Sequence, residues 1–252
     1  MFSKHFKKVI FGALIFVFWI SVWQISSVLL TRAFGNDYFL PTPYSAFRAL
    51  IKMMGTFAFY KAVIYSFLRV FFGVILGIFF GSVLAYASHF MALFRKAITP
   101  VITIIKATPV VTFITLLWIL VSGNFLTVFI AFLMVMPIIW QNLLDGFDAV
   151  PKDLSEVCDV FEFSRFKRFK ILTLPTLLRY FFPAVITSIG LAWKAEIAAE
   201  VIGSTKVSIG ANIADARYAL LTDEVFAWII VIATFSISLE ILTKRIIRRF
   251  KK

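Results

Sequence analysis

The sequence predicts an all-α integral membrane protein with six transmembrane helices, on three observations. Of its 252 residues 61% are hydrophobic and only 15% charged, whereas soluble domains carry about 25% charged residues. Six separate stretches approach the ~20 apolar residues a helix needs to cross a bilayer with its backbone satisfied internally. The basic residues between those stretches concentrate on one side of the alternation.

The first stretch, residues 9–30, follows "KHFKK". Its apolar run exceeds the ~7–15 residues of a secretion signal and has no small-x-small cleavage site, so it is expected to be retained. The others are residues 63–87, 97–121, 125–144, 180–202 and 225–247. Pro100, Pro109, Pro137 and Pro183 lie inside or at the edges of these spans, a position membrane helices tolerate. The expected organisation is one transmembrane domain over residues 1–252. Within it lie a first span and external loop (1–62), a five-span core (63–247) containing a polar loop at 145–180, and a basic tail (248–252).

Lys4, Lys7, Lys8, Arg95, Lys96, Lys152, Arg165, Lys167, Arg168, Lys170, Arg179 and the tail from Lys244 to Lys252 share one side. Only Arg32, Arg48, Lys52, Lys61, Lys206 and Arg217 fall on the other. Both termini and the 145–180 loop are thus expected in the cytoplasm. The net charge of +13 is accounted for as a topology signal with the lipid bilayer as partner, and no nucleic acid is expected. The single cysteine, Cys158, excludes an internal disulfide framework. His5 and His89 sit near cytoplasmic ends and suggest neither metal nor catalysis. No nucleophile, base and orienting partner can be assembled, so no catalytic residue, metal or cofactor is expected.

The loop breaks the apolar pattern. Pro151 suits a first helical position, Asp153 favours the positive helix end, and Leu154, Val157, Cys158 and Phe161 recur at helical spacing. A second short helix follows, with Ser164 as N-cap, Phe163, Phe166, Phe169 and Leu172 spaced by three, and basic residues between them. Pro175 is expected to end or kink it before the fifth span. Such an apolar stripe lies either on anionic headgroups or in the groove of a cytoplasmic partner.

These residues resemble the permease subunits of binding-protein-dependent ABC importers, whose cytoplasmic loop carries E-A-A-x(3)-G-x(9)-I-x-L-P. Glu156 stands at the first position, Val157 and Cys158 replace the alanines, Glu162 the glycine, Leu172 the isoleucine, and Leu174 with Pro175 completes the pattern. Losing the glycine puts the turn geometry in question, since a left-handed turn is costly for glutamate. The likeness runs from about Tyr65 to Arg217. "SFLRVFFGVILGIFFG" is similar to the second helix of the nitrate, sulfonate and taurine branch. "LTLPTLLRYFFPAVITSIGLAWKAEIAAEVIG" is similar to its loop exit and fifth helix, and "SIGANIADAR" to its external segment.

The resemblance implies a type I importer permease in the bacterial inner membrane. It further implies a pair of permeases, here a homodimer, with two cytoplasmic ABC ATPase subunits and an external binding protein or lipoprotein. Leu154, Glu156, Val157, Cys158, Phe161, Glu162, Ser164, Phe166, Leu172, Leu174 and Pro175 would then form the ATPase-coupling segment. Independently, no G-x(4)-G-K-[ST] phosphate cradle occurs in the chain, so energy comes from a partner or a gradient.

Within the spans, Arg69, Gly73, Gly77 and Gly81 recur every four residues, a stripe for close helix packing or a dimer seam. Arg69 at its head is expected to snorkel or cap carbonyls. Ala184, Ser188, Ala192, Glu196 and Glu200 repeat that spacing in the fifth span. Lys106, Ser188, Lys194 and Glu196 are candidates for the translocation pathway. The bland reading puts Glu196 and Glu200 at the external membrane edge, solvated or paired with a basic neighbour, and Glu200 is assigned nearer to it. Lys194 and Glu196, two residues apart, are not expected to pair. Charges inside the spans cancel and give no sign preference for the cargo. Two other transport readings stand beside the permease: an ion-coupled secondary transporter with Glu196, Glu200 and Glu240 as a proton relay, and an energy-coupling scaffold for a separate capture subunit.

Overall fold

The computed structural model describes residues 2–36, 38–121, 123–203 and 205–250, and the side chains of 2–9 and 248–250 fall outside that description. The terminal basic groups Lys4, Lys7, Lys8, Arg248, Arg249, Lys251 and Lys252, and His5, therefore lie outside the described residues. Every regular element among those described is helical: α1 (Phe2–Phe34), α2 (Pro43–Met54), α3 (Phe57–Phe90), α4 (Ala92–Ala107), α5 (Val110–Leu120), α6 (Asn124–Asp148), α7 (Lys152–Val160), α8 (Arg165–Arg168), a π turn (Phe169–Thr173), α9 (Leu174–Ile202), α10 (Ile209–Tyr218) and α11 (Thr222–Phe250). Five segments are long and apolar enough to cross a membrane, and the bent pair α4–α5 brings the number to six when counted as one crossing.

That bent pair corrects the expected single helix at 97–121. The two halves meet at 102°. The residue before a proline is pushed out of helical geometry, and Thr108 is extended at ψ 132, with Pro109 at ψ 135. The Thr108 N–H and hydroxyl both donate to the Ile104 carbonyl and close α4. Pro100, Pro137 and Pro183 by contrast remain inside helices.

A second correction concerns Pro175, which neither ends nor breaks its helix. Arg165–Ile202 runs on as one span-length segment. A proline inside an α-helix collides with the carbonyl four residues back. The π turn ending at Thr173 widens the ladder just before it, and the Leu174 N–H reaches the Phe169 carbonyl five residues back.

The chain packs as two compact units, Met1–Ala62 with Asn212–Ala233 and Val63–Ala211 with Thr234–Lys252. In the first, the segment before α2 folds back along α1. The Trp23 indole N–H donates to the Pro41 carbonyl at 2.9 Å and the Ser27 hydroxyl to Leu40 at 2.7 Å. Thr42 caps α2 by accepting from the Ser45 N–H. Trp228 stacks on Phe59 with ring centres 5.1 Å apart.

In the second unit α6 is the central rod, its Ile130, Ala131, Val135 and Ile139 fully buried. It runs antiparallel to α9, with Leu126 beside Gly203 at one end and Gly146 beside Leu177 at the other. Ile114 of α5 joins Leu126, Ile130, Ala195 and Ala199 in one buried cluster. On its other flank α6 lies parallel to α3. A Cβ built on Gly73 would fall 2.5 Å from that of Ala131, one on Gly77 2.5 Å from that of Val135, and one on Gly81 2.9 Å from that of Ile139. The glycine stripe is thus matched knob for knob by a stripe of equal period on α6. The Trp140 indole N–H, donating to Ser88 Oγ at 2.9 Å, fixes the register.

Gly77→Val is accordingly expected to force α3 and α6 apart, at about 1–3 kcal/mol, and to lower the thermal midpoint of the purified protein. Gly12→Val, where nothing lies within 4 Å of the added Cβ, is the control and should leave it unchanged. Equal midpoints for both variants would contradict the packing account.

Candidate functional site

Three places carry chemistry. The first is the α7–α8 segment. The Phe161 N–H returns to the Val157 carbonyl, that of Glu162 to Asp159 and that of Phe163 to Cys158, a Schellman-type closure whose left-handed position is Glu162, at φ 49. Ser164 then caps α8, its Oγ accepting from the Lys167 N–H. Arg168 reaches back to α7, donating to Asp159 Oδ1 at 2.7 Å and to Ser155 Oγ, and Lys167 sits 3.9 Å from the centre of the Phe163 ring.

This closure buries Cys158 and Leu172 and leaves the rest of the stripe bare. Leu154 is 52% exposed, Val157 48%, Phe161 69% and Phe166 75%. Glu156, Glu162, Ser164 and Pro175 are exposed and Leu174 half-buried. Because an L-residue in a left-handed turn is strained, Glu162→Gly is expected to stabilise the closure by about 0.5–1 kcal/mol after glycine's own entropy cost. Slower hydrogen exchange at the 161–163 amides reads that gain, and faster exchange would refute it.

The second place is a sealed polar cluster formed by the first half of α3, the first residue of α6 and the last turn of α9. Glu200 is fully buried. It accepts from Arg69 Nη1 at 2.6 Å, from Ser66 Oγ at 2.7 and 2.9 Å, and from the Gly210 N–H at 3.0 Å. Arg69 donates further to Asn124 Oδ1 at 3.0 Å and to the carbonyls of Lys206 and Val207, each at 3.2 Å. Ser66 Oγ accepts from the Ile209 N–H. Val207 is held at φ 51, a left-handed backbone rare for a β-branched residue, and this turns two successive carbonyls onto one guanidinium. The cluster therefore staples the 205–210 segment across the helix ends.

One turn before Glu200, Glu196 is also fully buried, beside Thr127 and Glu200. Neither of its carboxylate oxygens finds a hydrogen-bond partner among the described residues.

The third place is a cavity of about 370 Å³ at the α4–α5 break, lined by Lys106, Thr108, Val110, Met134, Pro137 and Leu191 among others. Lys106 is the one charged side chain on that lining.

Residues 73–252 match the family of binding-protein-dependent transport system inner membrane components. The chain is an inner-membrane permease subunit of an ABC importer. The permease is 28% identical to the Bacillus subtilis protein named aliphatic sulfonates transport permease SsuC, over 85% of this chain and 76% of that one. It is 23% identical to the taurine transport system permease protein TauC of Escherichia coli, over 90% and 83%. Against the bicarbonate transport system permease protein CmpB of Synechococcus elongatus the identity is 31%, over 45% of this chain and 41% of that one. These relatives place the permease in the sulfonate and taurine branch. Its fold is that of a chain of the MetNI methionine ABC transporter in inward-facing conformations, with a TM-score of 0.57 and 14% identity over 75% of this chain and 93% of that one. It is also that of an amino acid ABC transporter, with a TM-score of 0.56 over 77% and 92% at 15% identity. Family membership selects the ABC permease from the three transport readings.

The residues singled out from the sequence separate in space. Glu200 is not at a solvated edge but sealed, and its basic partner is Arg69. Arg69 does bind carbonyls, yet it does not snorkel. Glu196 is buried beside Glu200 and Thr127 and not at a solvated edge. Ser188 is buried with its hydroxyl turned back to the Val185 carbonyl, and Lys194 is exposed and forms no ion pair with Glu196. Of the four pathway candidates, Lys106 lines the cavity at the α4–α5 break. Glu240 pairs with Lys244 on the exposed side of α11. Ser66, Asn124 and Gly210 were missed, and only their place opposite the ends of the two four-residue stripes hinted at them.

Proposed function

We propose that the permease forms the translocation route for a small solute delivered by an external binding protein, and that cytoplasmic ATPase subunits drive it by gripping α7 and α8. The observation that carries this reading is the bare stripe of Leu154, Val157, Phe161 and Phe166 on a rigidly closed helix pair. Four large apolar side chains held to solvent on α7 and at the start of the segment that follows it fit a helix-in-groove contact. The basic residues around them support a cytoplasmic position. The chain has no phosphate cradle of its own, which supports nucleotide hydrolysis on a partner. By this reading two copies of the permease and two ATPases make one transporter, and alternating access follows when nucleotide-driven closure moves the helix pair.

For the cargo, the cavity at the α4–α5 break supports an anionic group, because Lys106 faces it without a counter-charge on the lining. Broken helices are also where transporters commonly hold solutes. The named relatives carry sulfonates, taurine and bicarbonate, all of which bear an anionic head.

The test is co-expression with the neighbouring ATPase and binding protein. A stable complex whose ATP hydrolysis rises on adding loaded binding protein is the expected result. Solute uptake by the permease alone, driven by a proton gradient, would overturn the reading.

A further inference from the structure

The short helix α2 carries three stripes. Pro43, Ala46 and Ala49 are buried. About a third of a turn away, Tyr44, Phe47, Ile51 and Met54 are exposed. Beside them, Arg48 and Lys52 are exposed as well. No acidic residue occurs between Tyr38 and Lys61. The apolar stripe continues at both ends of α2 into exposed aromatics, Tyr38 and Phe39 before it and Phe57 and Tyr60 after it.

Twelve residues of helix span about 18 Å, too short to cross a bilayer. Water is a poor neighbour for four large apolar side chains in a row. The boundary between headgroups and acyl chains suits all of this at once, since apolar groups enter the hydrocarbon while adjacent basic groups meet phosphate.

We infer that α2 lies in the headgroup layer and holds anionic phospholipid through Arg48 and Lys52. The unbroken positive sign of the segment and its rim of aromatics favour lipid over an aqueous protein partner.

The experiment uses the purified full-length permease in nanodiscs of mixed phosphatidylglycerol and phosphatidylcholine. A nitroxide is placed at Ile51→Cys after Cys158→Ser removes the native thiol. The label should be accessible to oxygen and shielded from a water-soluble nickel chelate. Separately, Arg48→Gln with Lys52→Gln should lower the preference for co-purifying phosphatidylglycerol, by about fivefold per basic group and roughly 25-fold together. A label open to the nickel chelate would place the face in water. Immobilisation only when the binding protein is added would assign it to that protein, and dipolar broadening between labels to a second copy. Each of these results, or an unchanged phosphatidylglycerol preference in the double variant, overturns the inference.

Discussion

Arg69→Met is expected to destabilise the permease by about 3–5 kcal/mol, because it strands a fully buried carboxylate without its counter-charge. Removing both partners, as Arg69→Met with Glu200→Met, should recover much of that loss. Two methionines fill comparable space and leave no buried charge. Recovery will be incomplete, since Ser66 Oγ and the Gly210 N–H lose their acceptor, and each unsatisfied buried group costs about 1–3 kcal/mol. The thermal midpoints of the wild type, both single variants and the double variant form the cycle. The single Arg69 variant should also become sensitive to proteolysis at 205–210, the segment whose carbonyls it holds. Additive losses in the cycle would show that the two side chains do not act as a pair.

Phe161→Asp should leave folding nearly untouched and abolish coupled transport. Phe161 is 69% exposed, and exposed substitutions away from special features usually change stability by no more than about 0.5 kcal/mol. As an anchor in a partner groove, the same side chain would contribute about 2 kcal/mol or more to association, a factor of roughly 30. ATPase retained on the immobilised permease should fall by at least that factor, and binding-protein-stimulated hydrolysis with it. Phe161→Leu should keep most of both. Full coupled transport by the aspartate variant would remove the support for α7 and α8 as the gripped element.

The membrane-crossing runs were legible in the sequence because spanning hydrocarbon demands length and apolarity, and both are one-dimensional quantities. The glycine stripe was legible for a related reason: a period of four survives in the letters whatever it packs against. Its partner stripe on α6 was not, because Ala131, Val135 and Ile139 are ordinary span residues until a neighbour lacks side chains opposite them. Four prolines inside spans look alike on paper. Only Pro109 breaks its helix, where Thr108 also goes extended. Glu162 in a left-handed turn was legible as a strain, and the backbone accepts that strain and does not rearrange. The pairing of Arg69 with Glu200 across 131 positions was beyond reach, since solvated edge and sealed interior give a carboxylate the same letter.

The joint between α8 and α9 is a wide turn of helix. From Arg165 to Ile202 the helical rod is continuous over 38 residues, about 57 Å from tip to tip. Pivoted near its middle, such a rod behaves as a see-saw: a tilt of ~5° swings each tip by ~2.5 Å in opposite senses. On that geometry a ~5° tilt begun beside Phe166 would carry Glu196 by ~1.6 Å and Glu200 by ~2.2 Å.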